Sequence, residues 1–177
     1  MGSTNIVNVV GSGDLQVEID LVEVANDIQQ AKYDDEHRPA PPTLQLESNN
    51  SLILVYRTGT YAIRGARSIE EIETAKNKLL NEFTNLGIIE EPVDPNFVIR
   101  NVVCTDDLSK NIDLGKLAIK LGLENTEYEP EQFPGLIYRP PSHSCVLLIF
   151  SSGKVIATGS ETEQIAKAAI ESLKSIM

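Results

Sequence analysis

Residues able to do chemistry are few in this chain of 177 residues, and their spacing does not form a catalytic site. Cys104 and Cys145 both lie in apolar stretches, where a reduced, buried thiol is the usual state. His37 and His143 stand alone in proline-rich segments, so no set of side chains has the spacing of zinc ligands. Neither Gly-Lys pair has the remaining residues of a phosphate-binding loop. We therefore expect no enzyme, no metal site and no cofactor.

Aromatic and polar side chains of the C-terminal half have two interpretations, as ordinary core and turn residues or as contacts to nucleic-acid bases. Phe133 is beside a proline in a loop, and Phe150 lies in an apolar strand. Apolar rings of this kind insert between base steps in some DNA-binding proteins. Taken singly, both rings are ordinary core residues, and Asn101 at a strand start is ordinarily a turn or edge residue. Both interpretations stay open from these residues alone.

The charge balance limits how such a protein holds DNA. Fifteen basic and 26 acidic residues give a formal charge of −11. This excess argues against binding that depends mainly on Lys and Arg side chains covering phosphates. It agrees better with apolar insertion into the minor groove, where deformation of the DNA carries much of the energy. A strongly acidic surface is also a common adaptation to a salty cytoplasm.

The chain contains an internal duplication. Residues 8–25 align without gaps on residues 101–118, and nine of these eighteen positions are identical. Residues 51–65 match residues 145–159, and each segment is an apolar strand that turns at a glycine into another strand. Two copies of one strand-and-helix unit therefore follow each other along the chain.

A proline-rich acidic segment, residues 90–95, separates the copies. We divide the chain there into a first repeat, residues 1–92, and a second repeat, residues 93–177. Each repeat predicts a strand, a helix, a run of strands and a second helix. Asp20 and Asp113 are the predicted N-caps of the first helix in each repeat. The second helix of each repeat is predicted to begin at a capping box, which is Ser68 to Glu71 in the first repeat and Ser160 to Glu163 in the second.

Runs of strands set between helices predict an α+β fold, with an antiparallel sheet covered by helices on one face. In the segment from Val146 to Thr158, both sets of alternate residues are apolar near the start. Helices on one side cover only one set. We therefore expect a partner or a second layer on the other face of the sheet.

The second repeat resembles the second repeat of TATA-box-binding proteins, and most closely their archaeal branch. The resemblance rests on YEPEQFPGLIYR at residues 128–139, on LIFSSGK at residues 148–154 and on ATG at residues 157–159. It is strong over residues 93–177 and weaker over residues 1–92. It implies two pseudo-symmetric repeats that form a saddle, with a curved antiparallel sheet on the minor groove and helices on the convex face.

The resemblance also implies roles for individual residues. Phe133 and Phe150 correspond to the paired wedge that inserts between base steps. Glu129, Glu131 and Gln132 lie on the loop that docks transcription factor B in this family. The resemblance implies further contacts to DNA, made by apolar side chains, by donors to A·T acceptors and by cations that face phosphates. These positions are Asn8, Val10, Leu54, Tyr56, Arg64, Asn101, Val103, Arg139, Val146, Leu148, Ser152, Lys154, Ile156 and Thr158.

The first repeat departs from the family pattern at the wedge. Its loop Tyr33–Pro39 aligns on Tyr128–Pro134, which places Arg38 opposite Phe133. The segment Ala40–Leu44 that follows has one extra residue, and three prolines lie in its neighbourhood, so a shortened or bulged strand is expected there. One wedge is therefore missing in this alignment.

The rest of the groove face in the first repeat also changes. Tyr56 stands opposite Phe150, and Arg64 stands opposite Thr158. We expect asymmetric binding, with a strong kink under the second repeat and a weaker one under the first. Whether Arg38 or Arg64 compensates by entering a narrowed A·T-rich groove stays open. The expected groove face of this repeat is Val10, Leu52, Leu54, Tyr56, Thr58, Ala62 and Arg64.

The resemblance predicts a general transcription initiation factor. It would bind double-stranded A·T-rich (TATA-box) promoter DNA in the minor groove, bend it, and recruit a transcription factor B and, indirectly, RNA polymerase. A divergent paralogue that regulates or binds proteins with weakened TATA binding is one alternative. A small-molecule-binding or enzymatic domain on a duplicated sheet is another.

Location and self-association are also expectations. The sequence has no apolar run of 18 residues and no secretory leader, which predicts a cytoplasmic, nucleoid-associated protein without membrane contact. An uncovered apolar sheet face allows the free protein to form a homodimer.

Overall fold

A computed structural model describes residues 2–177 of the chain. The chain folds into two compact units. The first unit is Asn8–Arg100, and the second unit combines the residues up to Val7 with Asn101–Met177. Within residues 2–177, no helix has both the length and the apolar character needed to cross a membrane.

The first unit pairs its strands in the antiparallel order β2-β3-β4-β5-β1. Strand β1 begins before the first residue of this unit. Its elements are β1 (Asn5–Asp14), α1 (Leu21–Asp27), β2 (Lys32–Asp34), β3 (Thr43–Ser48), β4 (Ser51–Val55), β5 (Thr60–Ala66) and α2 (Ile69–Asn85).

The second unit repeats this plan, with the antiparallel order β7-β8-β9-β10-β6. A short 3₁₀ turn at Leu123–Asn125 precedes β7. Its elements are β6 (Val98–Asp107), α3 (Leu114–Leu121), β7 (Thr126–Glu127), β8 (Leu136–Tyr138), β9 (Val146–Ile149), β10 (Lys154–Ser160) and α4 (Glu163–Ile176).

Alternation along the strands separates a buried face from a half-buried face in each unit. In the second unit, Leu147, Ile149 and Val155 are fully buried beneath the helices. Val146 and Leu148 point to the opposite side and are only half-buried. Successive side chains of a strand face opposite ways, so helices on one face leave the other available to a partner.

Three of the predicted helix N-caps are confirmed. The carboxylate of Asp20 accepts a hydrogen bond from the Glu23 amide at 3.0 Å, and Asp113 caps α3 in the same way. The Ser68 hydroxyl accepts from the Glu71 amide at 3.0 Å. Each bond satisfies one of the amides that a helix start leaves without a partner inside the helix.

The predicted capping box at Ser160 is wrong. Ser160 is the last residue of β10, where it pairs with Val102 and its hydroxyl donates to the Val102 carbonyl oxygen at 3.0 Å. The helix α4 is capped instead by Thr162, whose Oγ1 accepts from the Ile165 amide at 3.2 Å. Strand pairing with β6 extends β10 and moves the helix start beyond the box.

Candidate nucleic-acid interface

The sheet face opposite the helices is apolar in the second unit. Leu148 pairs with Ile156 across β9 and β10 and with Ile137 across β8 and β9. Val146 pairs with Thr158 at the other end of β9. All five side chains are half-buried although no helix covers them. Burying such a surface contributes about 25 cal/mol per Å², so this face favours an apolar partner.

Phe133 and Phe150 meet at the end of this face, which their separation in sequence does not reveal. Their ring centroids are 5.9 Å apart, and the ring planes are inclined by 67° in an edge-to-face contact. Both rings are partly exposed. A Cβ atom at Gly135 would lie 2.8 Å from the ring of Phe133 and 3.1 Å from that of Phe150. The glycine therefore makes room for the aromatic pair.

A polar pair occupies the same face near the start of β6. The Asn101 Oδ1 atom accepts a hydrogen bond from the Gly159 amide at 2.8 Å. Its Nδ2 atom donates to the Thr158 hydroxyl at 3.3 Å. These bonds fix the orientation of the amide and hold both side chains on the sheet surface. Val103, two residues after Asn101, continues the half-buried face.

Basic side chains lie at the edge of this face. Lys154 is exposed at the start of β10, just after a hairpin turn that contains Ser152. Gly153 in that turn has φ +96°, and a Cβ atom there would meet the Lys110 carbonyl oxygen. Arg139 forms an exposed salt bridge to Glu127 at 2.8 Å. An exposed pair of this kind is worth at most about 1 kcal/mol, so a phosphate competes readily for the guanidinium.

The loop before β8 presents acidic side chains and also positions Phe133. Glu129, Glu131 and Gln132 are all exposed. The Glu129 carbonyl oxygen accepts hydrogen bonds from the Gln132 amide at 2.9 Å and from the Phe133 amide at 3.0 Å. One turn therefore directs the acidic residues to solvent and sets the start of the segment that carries Phe133.

The corresponding face of the first unit is smaller and more basic. Leu54 pairs with Ala62, and Leu52 pairs with Arg64, which is exposed. Val10 and Tyr56 are half-buried on this face. Asn8 holds its place through its Oδ1 atom, which accepts from the Gly65 amide at 2.9 Å.

The register of the strands changes which residue of the first unit corresponds to Phe133. Lys32 pairs with Gln45 in the first unit, and Glu127 pairs with Ile137 in the second, so the joining segment is three residues longer in the first unit. The expected single extra residue is therefore too few. Gln45 of β3 and Ile137 of β8 are equivalent, because they pair with Leu54 and Leu148. When residues are counted back from this pair, Pro41 rather than Arg38 corresponds to Phe133, and Thr43 corresponds to Gly135.

A cavity of about 850 Å³ opens at this position in the first unit. Tyr33, Pro41, Pro42 and Tyr56 form one part of its wall, and the segment 18–22 with residues of the turn after β4 forms the rest. The exposed side chain of Arg38 is not among the lining residues. Pro41 has no ring to pack on Tyr56 as Phe133 packs on Phe150 in the second unit.

Several residues on these faces were missed by sequence reasoning. Thr105 and Ile137 lie on the apolar face of the second unit. In the first unit, Arg100 Nε donates to the Ser12 hydroxyl at 2.9 Å beside Val10. Alternation from Val103 and Val10 would have found Thr105 and Ser12, whereas the position of Arg100 depends on contacts between distant segments.

The remaining reactive side chains do not form a second site. Cys104 and Cys145 are free and buried, and burial raises the pKa of both thiols. Within residues 2–177, no three His, Cys, Asp or Glu side chains lie close enough to hold a metal ion.

Comparisons with known proteins extend over both units. The family model described as transcription factor TFIID (or TATA-binding protein, TBP) matches residues 3–86 and 96–177. TATA-box-binding protein C of Halobacterium salinarum is 42% identical over 175 residues, which cover 98% of this chain and 96% of that protein. The TATA-box-binding protein of Natronomonas pharaonis is 38% identical over 172 residues, covering 97% and 90%.

A solved structure gives the same result for the fold. Methanococcus jannaschii TBP superposes with a TM-score of 0.79 at 40% identity, and the match covers 98% of each chain. The predicted α+β, TBP-like fold class and the internal duplication are thereby confirmed. The division of the repeats at residue 92 stays a prediction, since the matched segments stop at residue 86 and resume at residue 96.

Proposed function

This chain belongs to the TATA-binding protein family, whose members are general transcription initiation factors, and we propose that it binds A·T-rich promoter DNA in the minor groove and bends it. The observation that carries the proposal is the edge-to-face pair of Phe133 and Phe150 at the end of an uncovered apolar sheet face. Rings in this position insert between base steps, and the unstacking costs a few kcal/mol that contacts along a bent duplex offset.

Preference for A·T pairs follows from the polar groups on the same face. The minor-groove edge of an A·T pair offers only acceptors, which are adenine N3 and thymine O2. Asn8, Asn101 and Thr158 supply donors there, among apolar neighbours that fit the sugars. We infer that Lys154 and Arg139, which lie at the edge of this face, contact phosphates and set the register of the protein on the duplex.

Binding to fluorescent duplexes tests the proposal. A duplex with an A·T-only site should bind more tightly than a G·C duplex of equal length at several salt concentrations. The double variant F133A/F150A should lose most of this preference, while the exposed control Lys167→Ala on α4 should retain it. Equal binding of the wild-type protein to both duplexes would refute the proposal.

Recruitment of a transcription factor B is proposed for the loop that carries Glu129, Glu131 and Gln132. The exposed carboxylates suit a basic partner surface, and the loop turns away from the buried core. The variant E129K/E131K should lose factor B in a supershift assay while keeping its affinity for DNA. Unchanged recruitment by this variant would exclude the loop. RNA polymerase is reached indirectly, through factor B.

A paralogue with weakened TATA binding is the second candidate, because the first unit lacks the phenylalanine pair. It predicts binding to factor B in the absence of DNA, together with little preference for A·T duplexes. The same two assays therefore separate the candidates.

Two further features belong to the proposal. Association with the nucleoid follows from DNA binding, and chromatin immunoprecipitation measures it. The uncovered apolar face also favours a homodimer of the free protein, which DNA should dissociate. Sedimentation with and without an A·T duplex tests this exchange.

A further inference from the structure

The first and second units differ in the hydrogen-bonding groups that surround equivalent asparagines. We propose that Arg64 makes the first repeat reject the 2-amino group of guanine. On a promoter site that contains one G·C pair, the protein would then bind in the orientation that places this pair under the second repeat. The inference rests on the proposed minor-groove binding and adds a rule of orientation to it.

The second unit keeps an acceptor in this position. The Thr158 hydroxyl receives the hydrogen bond from Asn101 Nδ2 at 3.3 Å. A hydroxyl has two lone pairs and one hydrogen, so one lone pair of Thr158 is left to accept from a ligand. This polar pair can meet either an acceptor or a donor on a base edge.

The first unit has a donor-only side chain, Arg64, in place of Thr158. Asn8 Oδ1 is engaged by the Gly65 amide at 2.9 Å, as Asn101 Oδ1 is by Gly159. Arg64 stands in the place of Thr158, since it pairs with Leu52 as Thr158 pairs with Val146. A guanidinium carries five N–H donors and no acceptor.

The guanidinium of Arg64 is also available to a ligand. The residue is exposed, and among residues 2–177 no salt bridge includes it. By contrast, Arg57 and Arg139 each pair with a glutamate. A free guanidinium is attracted to the negative potential of a narrow A·T-rich minor groove.

Base-pair chemistry turns this difference into selectivity. A·T pairs present acceptors to the donors of Arg64 and Asn8, whereas a G·C pair adds the guanine N2 amino group, which is a donor. When the guanidinium of Arg64 faces the guanine amino group, two donors meet and both stay without an acceptor in a desolvated groove. The arginine side chain is also longer than the threonine of the second repeat and leaves less room for the amino group. The penalty falls on the first repeat, where Arg64 stands in place of the accepting hydroxyl of Thr158.

Orientation on a single duplex tests the inference. The exposed Ser151 is changed to Cys and labelled with an iron chelate that cleaves nearby DNA, while Cys104 and Cys145 are buried. The site consists of A·T pairs except for one G·C pair in one half. Because the label at residue 151 is on the second repeat, we expect cleavage in the half with the G·C pair about tenfold more often than in the other half. Replacing G·C by inosine·C, which lacks the 2-amino group, should remove the bias.

Two variants identify the residue responsible. Arg64→Thr restores the hydroxyl of the second repeat and should abolish the orientation bias, whereas Arg64→Lys keeps a donor-only cation and should preserve it. Bias that persists in Arg64→Thr, or that persists with inosine, would overturn the inference. A·T preference without any bias in the wild-type protein would refute this inference alone. Equal affinity for A·T and G·C duplexes would refute the proposed function.

Discussion

The ring of Phe133 meets the ring of Phe150 edge to face, with the two centroids 5.9 Å apart. The equivalent position in the first unit pairs Pro41 with Tyr56 around an open cavity. Within residues 2–177, this aromatic pair is therefore present in the second unit and not in the first, and we expect the two ends of a bound duplex to be bent to different degrees.

Removing one ring of the pair should reduce bending more than removing Tyr56. Phe133→Ala deletes a ring whose insertion offsets a few kcal/mol of unstacking, so the affinity for an A·T-rich duplex should fall at least about tenfold. Energy transfer between dyes at the two ends of the duplex reports the bend angle, which should decrease. Tyr56→Ala should change it little. Equal losses in the two variants would contradict asymmetric binding.

Rebuilding the second pair should increase bending. The variant P41F/T43G/Y56F gives the first repeat the Phe, Gly and Phe of the second, because Gly135 is what leaves room for both rings there. We expect a larger bend angle and tighter binding to a TA-rich site than for the wild type. The matched control R38F/Y56F places the ring where the shorter alignment put it, and it should not increase the bend.

A buried carboxylate should contribute strongly to stability in the second unit. Asp106 accepts hydrogen bonds from Lys174 Nζ at 2.9 Å and from the Thr4 hydroxyl at 2.7 Å, and its side chain is fully buried. Asp106→Asn removes a buried charge that pairs with the half-buried Lys174, which keeps its second partner Glu171 at 3.1 Å, and should lower the free energy of unfolding by about 1–2 kcal/mol. Urea denaturation measures this loss. Asp35→Asn, at an exposed position, should cost under about 0.5 kcal/mol.

The contribution of Asp106 should depend on pH in the acid range. Burial alone raises the pKa of Asp106, but hydrogen bonds from Thr4, Lys174 and the Asp107 amide outweigh it and hold the pKa below its usual value. A lowered pKa in the folded state stabilises the protein above the unfolded pKa of about 3.9 and loses this effect as the pH falls. The stability difference between wild type and Asp106→Asn should therefore be constant near pH 6 and shrink below about pH 4.

Salt should weaken DNA binding only modestly. The formal charge is −11, and few cations lie on the proposed interface, among them Arg64, Arg100, Arg139 and Lys154. We expect a loss of no more than about a hundredfold in affinity between 50 and 200 mM salt, against about 10³–10⁵ for proteins with many phosphate contacts. Glu127→Gln, which frees Arg139 from its salt bridge, should tighten binding at low salt and steepen the salt dependence. An unchanged slope would exclude Arg139 as a phosphate contact.

The sequence by itself determined the duplication and the fold class, and it divided the residues of a strand into two alternating sets without showing which set is buried. Matching segments reveal a repeat without any structure, and alternation in β9 and β10 assigns successive side chains to opposite faces because a strand has a period of two. Asp20, Asp113 and Ser68 were found as caps because capping is a bond between residues three apart. The DNA and factor B roles of individual residues stay predictions.

Only the tertiary structure decided features that depend on pairing between distant segments. The residue equivalent to Phe133 is Pro41 in the structure, whereas the sequence alignment gave Arg38. The loop has no periodicity, and its register is set by hydrogen bonds between β2 and β3. Ser160 stayed in β10 because it pairs with Val102 in β6. Likewise, neither the bond from Thr4 to Asp106 nor the contact of Arg100 with Ser12 follows from local patterns. Such contacts are fixed by how strands pair across the fold, and a local sequence window carries no information about that pairing.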